Sequence, residues 1–153
     1  MKTRLTAFFV FAMALFIAFP RSGYSAEAQF PGEKIVHEGI IGYLPEGWDC
    51  LTAGESLIFR SRHTDEYIRV SRVVMPFVGE TIYEHAEAYV KENGGSNPHR
   101  FEGALDFTAK TGENAMLVPF GDGYIALLFV YRGGMSNEFH DAFDSIRPQG
   151  PND

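Results

Sequence analysis

Three arginines and one tyrosine are the residues best suited to recognition chemistry in this sequence. Arg60, Arg62 and Arg69 lie in two segments separated by residues 63–66, and Tyr67 opens the second segment. Guanidinium groups bind carboxylates and phosphates through paired N–H donors, so this cluster predicts recognition of an anion or of an acidic protein surface. The alternative is neutralisation by acidic residues of a neighbouring helix or strand. We expect such internal pairing for at least one of Arg60 and Arg69.

Motifs for catalysis and for metal binding are missing from the sequence. The chain contains no Gly-x-Ser-x-Gly, no His-Glu-x-x-His, no phosphate-binding glycine-rich loop and no Cys-x-x-Cys. Its five histidines are scattered. The acidic residues beside His63 fit a solvated turn, and those beside His140 fit the first turn of a helix. We therefore predict a protein that is not an enzyme and that holds neither a cofactor nor a metal ion.

Two alternating segments, residues 57–62 and 67–75, must position the arginines. Their β-branched residues and period of two predict a β-hairpin. Pairing the last residue of the first segment with the first residue of the second would place Arg60 directly opposite Arg69. Like charges that face each other across a strand pair are destabilising unless another group neutralises them.

The remainder of the chain predicts an antiparallel sheet with helices on it. Residues 124–131 are apolar on both faces, which is typical of a central strand, and residues 35–44 predict one bent strand interrupted by glycines. Helices are expected after Thr81, which forms a capping box with Glu84, and after Ser136. The predicted fold class is α+β: an antiparallel β-sheet of about six strands covered by helices, in an α/β/α sandwich.

Two short segments resemble a known group of proteins. They are Leu44-Pro-Glu-Gly-Trp48 near the start and Ser145-Ile-Arg-Pro148 at the end of the last helix. With this order of elements, residues 40–147 resemble the superfamily of the photosystem protein PsbP and the bacterial periplasmic DcrB proteins. The resemblance implies a six- or seven-stranded antiparallel sheet between helices and a non-enzymatic accessory or binding role. It implies no metal ligands.

The first 28 residues predict a secretory signal peptide. Lys2 and Arg4 precede an apolar run over residues 5–19, and Ala26-Glu-Ala28 fits a cleavage site. The run is shorter than the roughly 20 residues that span a bilayer, so no stable membrane anchor is expected. Residues 29–153 would then form a single PsbP/DcrB-like domain, periplasmic or secreted.

Charge and cysteine content restrict the partners. The formal net charge is −7, which disfavours nucleic acid and anionic lipid, and Cys50 has no second cysteine for an internal disulfide. We expect an exported binding or accessory protein of the bacterial envelope that engages a protein partner or envelope component. A small-molecule or anion carrier, or a small hydrolytic enzyme, is the alternative. A pocket lined by Arg60, Tyr67 and Arg69 would favour that alternative, and oligomeric state stays open.

Overall fold

The computed structural model describes residues 30–153. These residues form ten strands and two helices, in the order β1 Glu33–His37, β2 Ile40–Leu44, β3 Trp48–Ala53, β4 Ser56–Ser61, β5 Tyr67–Val74, α1 Ile82–Glu92, β6 Ser96–Phe101, β7 Ala104–Thr108, β8 Asn114–Phe120, β9 Ile125–Arg132, α2 Asn137–Ser145 and β10 Arg147–Pro148. The predicted signal peptide lies outside the described residues. In residues 30–153, no helix is long and apolar enough to cross a membrane.

Seven strands form the main sheet, in the order β3-β4-β5-β9-β8-β7-β6, and every neighbouring pair is antiparallel. β9 is the fourth of the seven, which confirms the predicted central strand. Its side chains alternate between two separate cores: Leu127 and Phe129 belong to one, and Ala126 and Val130 to the other. A strand that is apolar on both faces therefore lies where both faces are covered.

The two faces of this sheet are covered by different structures. On the inner face, α2 and a second sheet of β1-β2-β10 pack on β4, β5 and β9, with Phe59, Phe129 and Phe139 in the shared core. On the outer face, Ala86 and Val90 of α1 pack over the β6-β7-β8-β9 half. A helix is about 10 Å wide and strands are about 4.8 Å apart, so α1 covers only part of a seven-stranded sheet.

The predicted α/β/α sandwich is therefore wrong. The chain is α+β but mostly β, with two antiparallel sheets of three and seven strands and only two short helices, of 11 and 9 residues. The prediction failed because one layer expected to be helical is largely the small sheet. Residues 35–44 are two strands rather than one bent strand, because Glu38 and Gly39 both take positive φ (47° and 73°) and turn the chain into a hairpin.

Both helix starts are confirmed. The Thr81 hydroxyl accepts from the backbone N–H of Glu84, and the Glu84 carboxylate accepts from the backbone of Thr81, which completes the capping box. Ser136 caps α2 by accepting from the N–H of Phe139. These caps fix where each helix begins, and hence which strands each helix covers.

Candidate functional site

The hairpin that carries the arginines forms, but in a different register from the one predicted. Arg60 pairs with Tyr67, and Arg69 pairs with Ile58, so the predicted opposition of Arg60 and Arg69 is wrong. The pairing is shifted by two residues, which leaves every side chain on its expected face. The two arginines are diagonal neighbours on one face, where their repulsion is weaker than between directly opposed charges.

All four predicted site residues lie on one uncovered part of the outer face. We call it the arginine face: Arg60 at the end of β4, Arg62 just after it, and Tyr67 and Arg69 on β5. The three arginines are exposed and Tyr67 is half-buried. Helix α1 lies over the β6-β7-β8-β9 half, away from this part of the sheet. The structure thus brings the predicted residues together on one face of the sheet.

Arg132 joins this group, although it was not among the predicted site residues. It pairs with Tyr67 across β5 and β9, and its guanidinium carbon lies 5.7 Å from the centre of the Tyr67 ring. Tyr67 is thus flanked by Arg60 on one side and Arg132 on the other. Arg132 reaches this group only because β5 pairs with β9, which is far along the chain. The one feature of the sequence that could have indicated it is its position at the end of the apolar strand.

Acidic residues neutralise only part of this positive charge. The Arg62 Nε donates to Asp49 Oδ1 at 2.7 Å, and Arg132 lies 3.9 Å from Glu113. Within the described chain, Arg60 and Arg69 make no ion pair. Internal pairing for at least one of these two therefore stays a prediction without an ion pair among residues 30–153 to support it, although Asp49 lies directly across from Arg60 in the β3–β4 register.

The loop between β4 and β5 is held by a buried carboxylate. Glu66 is only 6% exposed, and its Oε1 accepts from the backbone N–H groups of Gly134, Met135 and Ser136 at 3.2–3.3 Å. Its Oε2 accepts from the hydroxyls of Ser136 at 2.7 Å and Thr64 at 3.1 Å. Desolvation raises the pKa of Glu66, but these hydrogen bonds outweigh it and hold the pKa below its usual value. The solvated turn expected here is anchored to the start of α2 by this carboxylate.

Three clefts lie elsewhere on the surface of the described residues. The first, about 280 Å³, lies between β8, β9 and α2, with Met116, Phe129 and Phe143 in its lining. A second of about 230 Å³ lies beside Trp48 and Glu66, and a third of about 250 Å³ lies at the end of β5. None of these three clefts is lined by Arg60, Tyr67 or Arg69. In residues 30–153 no group of His, Cys, Asp and Glu side chains is arranged to hold a metal ion.

Comparison with known proteins identifies no family for this chain. No protein-family model matches it, and no curated protein matches it. A crystal structure from Bacteroides thetaiotaomicron VPI-5482 is similar, with a TM-score of 0.47 and 16% sequence identity over 80% of this chain. The chain spans 50% of the length of that structure. Similarity at this level carries no argument about function.

Proposed function

We propose that this chain is an exported, non-enzymatic accessory protein that binds an acidic surface of a protein partner through the arginine face. One observation carries the proposal: Arg60 and Arg69 are exposed, make no ion pair in the described chain, and lie on one face of the sheet away from α1. The planar forks of the guanidinium groups suit carboxylates presented by another protein.

The shape of the site supports a protein partner over a small ligand. Pockets for small molecules are concave and bury most of the ligand, whereas the arginine face borders none of the three clefts. The resemblance of Leu44–Trp48 and Ser145–Pro148 to the PsbP and DcrB proteins agrees with an accessory role in the envelope, and membership of that superfamily is part of the proposal.

A small-molecule carrier is the second candidate, and one observation favours it. The cleft of about 280 Å³ between the main sheet and α2 has a mostly apolar lining that includes Met116, Phe120, Phe129 and Phe143. A carrier would hold an apolar ligand there, on the opposite face of the sheet from the arginines. Binding at this cleft would therefore be insensitive to substitution of Arg60 or Arg69.

The proposal is tested by binding to immobilised poly-L-glutamate, measured at low and at physiological salt. Replacing both Arg60 and Arg69 by glutamine is expected to weaken binding about two- to thirtyfold, since two ion pairs are lost and each exposed pair contributes about 0.2–1 kcal/mol. Arg100→Gln is the matched control. Arg100 is an exposed arginine on β6 that pairs with Glu87 on another part of the surface, so its loss should have little effect. A loss from Arg100→Gln equal to that from Arg60→Gln or Arg69→Gln alone would mean that only net charge matters, and the arginine face would not be the site.

Export is tested separately by intact mass. Protein recovered from the envelope or the medium of the native host should lack residues 1–28. A mass that includes them, or protein confined to the cytoplasm, would contradict the exported role.

A further inference from the structure

The two edges of the seven-stranded sheet differ in how well they could accept another strand. The β6 edge contains Pro98, Asn97 has a φ of 53°, and the pairing with β7 shifts between Ser96 and His99. Proline, irregular backbone and bulges are the features that prevent pairing at a sheet edge. The β6 edge is therefore protected against strand addition.

The β3 edge has none of these protections. Its six residues, Trp48–Ala53, pair with β4 in one unbroken register and include no proline, glycine or lysine. Its single charged side chain, Asp49, is held by Arg62. Among residues 30–153, β3 has no strand partner other than β4.

Hydrogen-bond alternation shows which backbone groups of β3 face outward. The N–H of Arg62 donates to the carbonyl of Gly47 at 2.9 Å, so this is a hydrogen-bonded pair in the β3–β4 ladder. Such pairs alternate along antiparallel strands, so Asp49, Leu51 and Ala53 bond to β4. The N–H and C=O groups of Cys50 and Thr52 consequently point away from the sheet, toward the free edge.

Side chains beside this edge define the chemistry of a strand that would pair there. On the outer face, Leu51 is 47% exposed and would be covered by an apolar side chain on an added strand. Arg60 lies across from Asp49, about two strand spacings (roughly 10 Å) from an added strand, within the combined reach of an arginine and a glutamate. The two positive charges of Arg60 and Arg62 exceed the single negative charge of Asp49. Acidic side chains are therefore favoured on the added strand, next to the apolar side chain that covers Leu51.

We propose that β3 is a strand-addition site, where an extended acidic segment of the protein partner joins the sheet by backbone hydrogen bonds to Cys50 and Thr52. This inference rests on the proposed function and deepens it. The segment carries an apolar residue over Leu51, with an acidic residue two positions away on the same face to meet Arg60 and Arg62. Main-chain bonds supply affinity, and the alternating side chains supply specificity.

The probe is a blocked heptapeptide with glutamate at its second and sixth positions, valine at its fourth and threonine elsewhere. Two controls accompany it: one has glutamine for both glutamates, and the other has alternate backbone nitrogens methylated on its pairing edge. Amide hydrogen exchange by NMR reads the site directly. The probe should protect the outward amides of Cys50 and Thr52 from exchange, and the N-methylated control should protect neither.

The matched protein variants are Thr52→Pro and Thr52→Ala. Proline removes an outward N–H that β4 does not use, and proline is tolerated at such edge positions. Thr52→Pro should weaken probe binding about tenfold or more, whereas Thr52→Ala should bind as the unmodified protein does. Circular dichroism is used to check that both variants fold. If Thr52→Pro fails to fold, the N-methylated peptide alone decides the question.

Each outcome separates the two proposals. Equal binding of the probe and its N-methylated form would overturn strand addition but leave recognition of acids by the arginine face intact. Equal binding of the glutamate and glutamine peptides, with protection at Thr52, would support strand addition and contradict acidic recognition. No binding of any peptide at millimolar concentration overturns strand addition. A dimer in sedimentation that Thr52→Pro abolishes would show that a second copy of the chain occupies the edge, which also overturns it.

Discussion

Removing the Glu66 carboxylate should loosen the connection between the β4–β5 loop and the start of α2. This side chain alone accepts five hydrogen bonds, three from backbone N–H groups at Gly134–Ser136 and two from hydroxyls. Glu66→Ala leaves all five donors without their acceptor. Glu66→Gln keeps one carbonyl oxygen of nearly the same shape but replaces the other oxygen by a donor.

The two substitutions should differ in magnitude. A stranded buried group costs about 1–3 kcal/mol, but Met135 is 95% exposed, so water can reach part of this site. We therefore expect Glu66→Ala to lower the free energy of unfolding by about 2–4 kcal/mol and Glu66→Gln by about 1 kcal/mol. With a urea m-value near 2 kcal/mol/M, the unfolding midpoints fall by about 1–2 M and 0.5 M.

The pH dependence has a definite sign. The pKa of Glu66 is lower in the folded chain than in the unfolded chain, so the stabilisation is fully present above the unfolded value of about 4.3. It is lost as the pH falls through the lower folded pKa, because a protonated carboxyl is then no better than an amide. The stability difference between the unmodified protein and Glu66→Gln should therefore shrink below about pH 4.3.

Urea unfolding followed by tryptophan fluorescence measures these differences. Trp48 is the only tryptophan, is 3% exposed, and lies 6.3 Å from Phe139 of α2 by ring centroids, so its emission reports the same region. Asp65→Asn is the control: it removes the same charge from an exposed residue of the same loop and should cost less than about 0.5 kcal/mol. If Glu66→Gln matches the unmodified protein at every pH, or Asp65→Asn costs as much, the anchoring role of Glu66 is refuted.

Three further predictions concern the core, the cysteine and the arginines. Phe129 is 2% exposed and packs 4.8 Å from Phe143 by ring centroids, so Phe129→Ala should cost about 3–5 kcal/mol in urea melts; a loss below about 1 kcal/mol would contradict the central strand. Cys50 is half-buried, and desolvation together with Glu33 raises the pKa of its thiol, so alkylation should be slow in the folded protein at pH 7 and fast after unfolding; rapid native labelling would overturn this. Arg69→Ala should change stability by less than about 0.5 kcal/mol, because Arg69 has no ion pair in the described chain; a larger loss in thermal melts would indicate an internal partner.

Local sequence predicted two kinds of element: those whose ends are fixed by hydrogen bonds between nearby residues, and those whose side chains are apolar on both faces. The all-apolar residues 124–131 had to be central, and the capping box of Thr81 and Glu84 fixed the start of α1. In contrast, β3 and β6 are short edge strands with polar residues and one-sided pairing. Each pairs only with the strand that follows it, across a turn at residues 54–55 or 102–103. The polar residues of β3 and β6 hide the alternation that marks a half-buried strand, so local sequence did not predict them.

Part of the arginine face was also predictable from local sequence. The strand period placed Arg60, Tyr67 and Arg69 on one face, and a register shift of two residues does not change that face. The register itself depends on loop length and on the bonds of Glu66 to the start of α2, which sequence does not show. Asp49 and Arg132 enter the site only through the pairing of β3 with β4 and of β5 with β9.

The charged residues of the arginine face could serve to bind a partner or only to keep an uncovered sheet face soluble. The sign of their charge helps to decide between these two explanations. An uncovered sheet face needs polar side chains to remain soluble, but either sign serves that purpose, and acidic residues serve it better than basic ones. This chain has 20 acidic and 13 basic residues, yet its uncovered face concentrates arginine, with two of the guanidinium groups left without acidic partners among residues 30–153. This concentration of arginine supports the proposed binding to carboxylates on a partner.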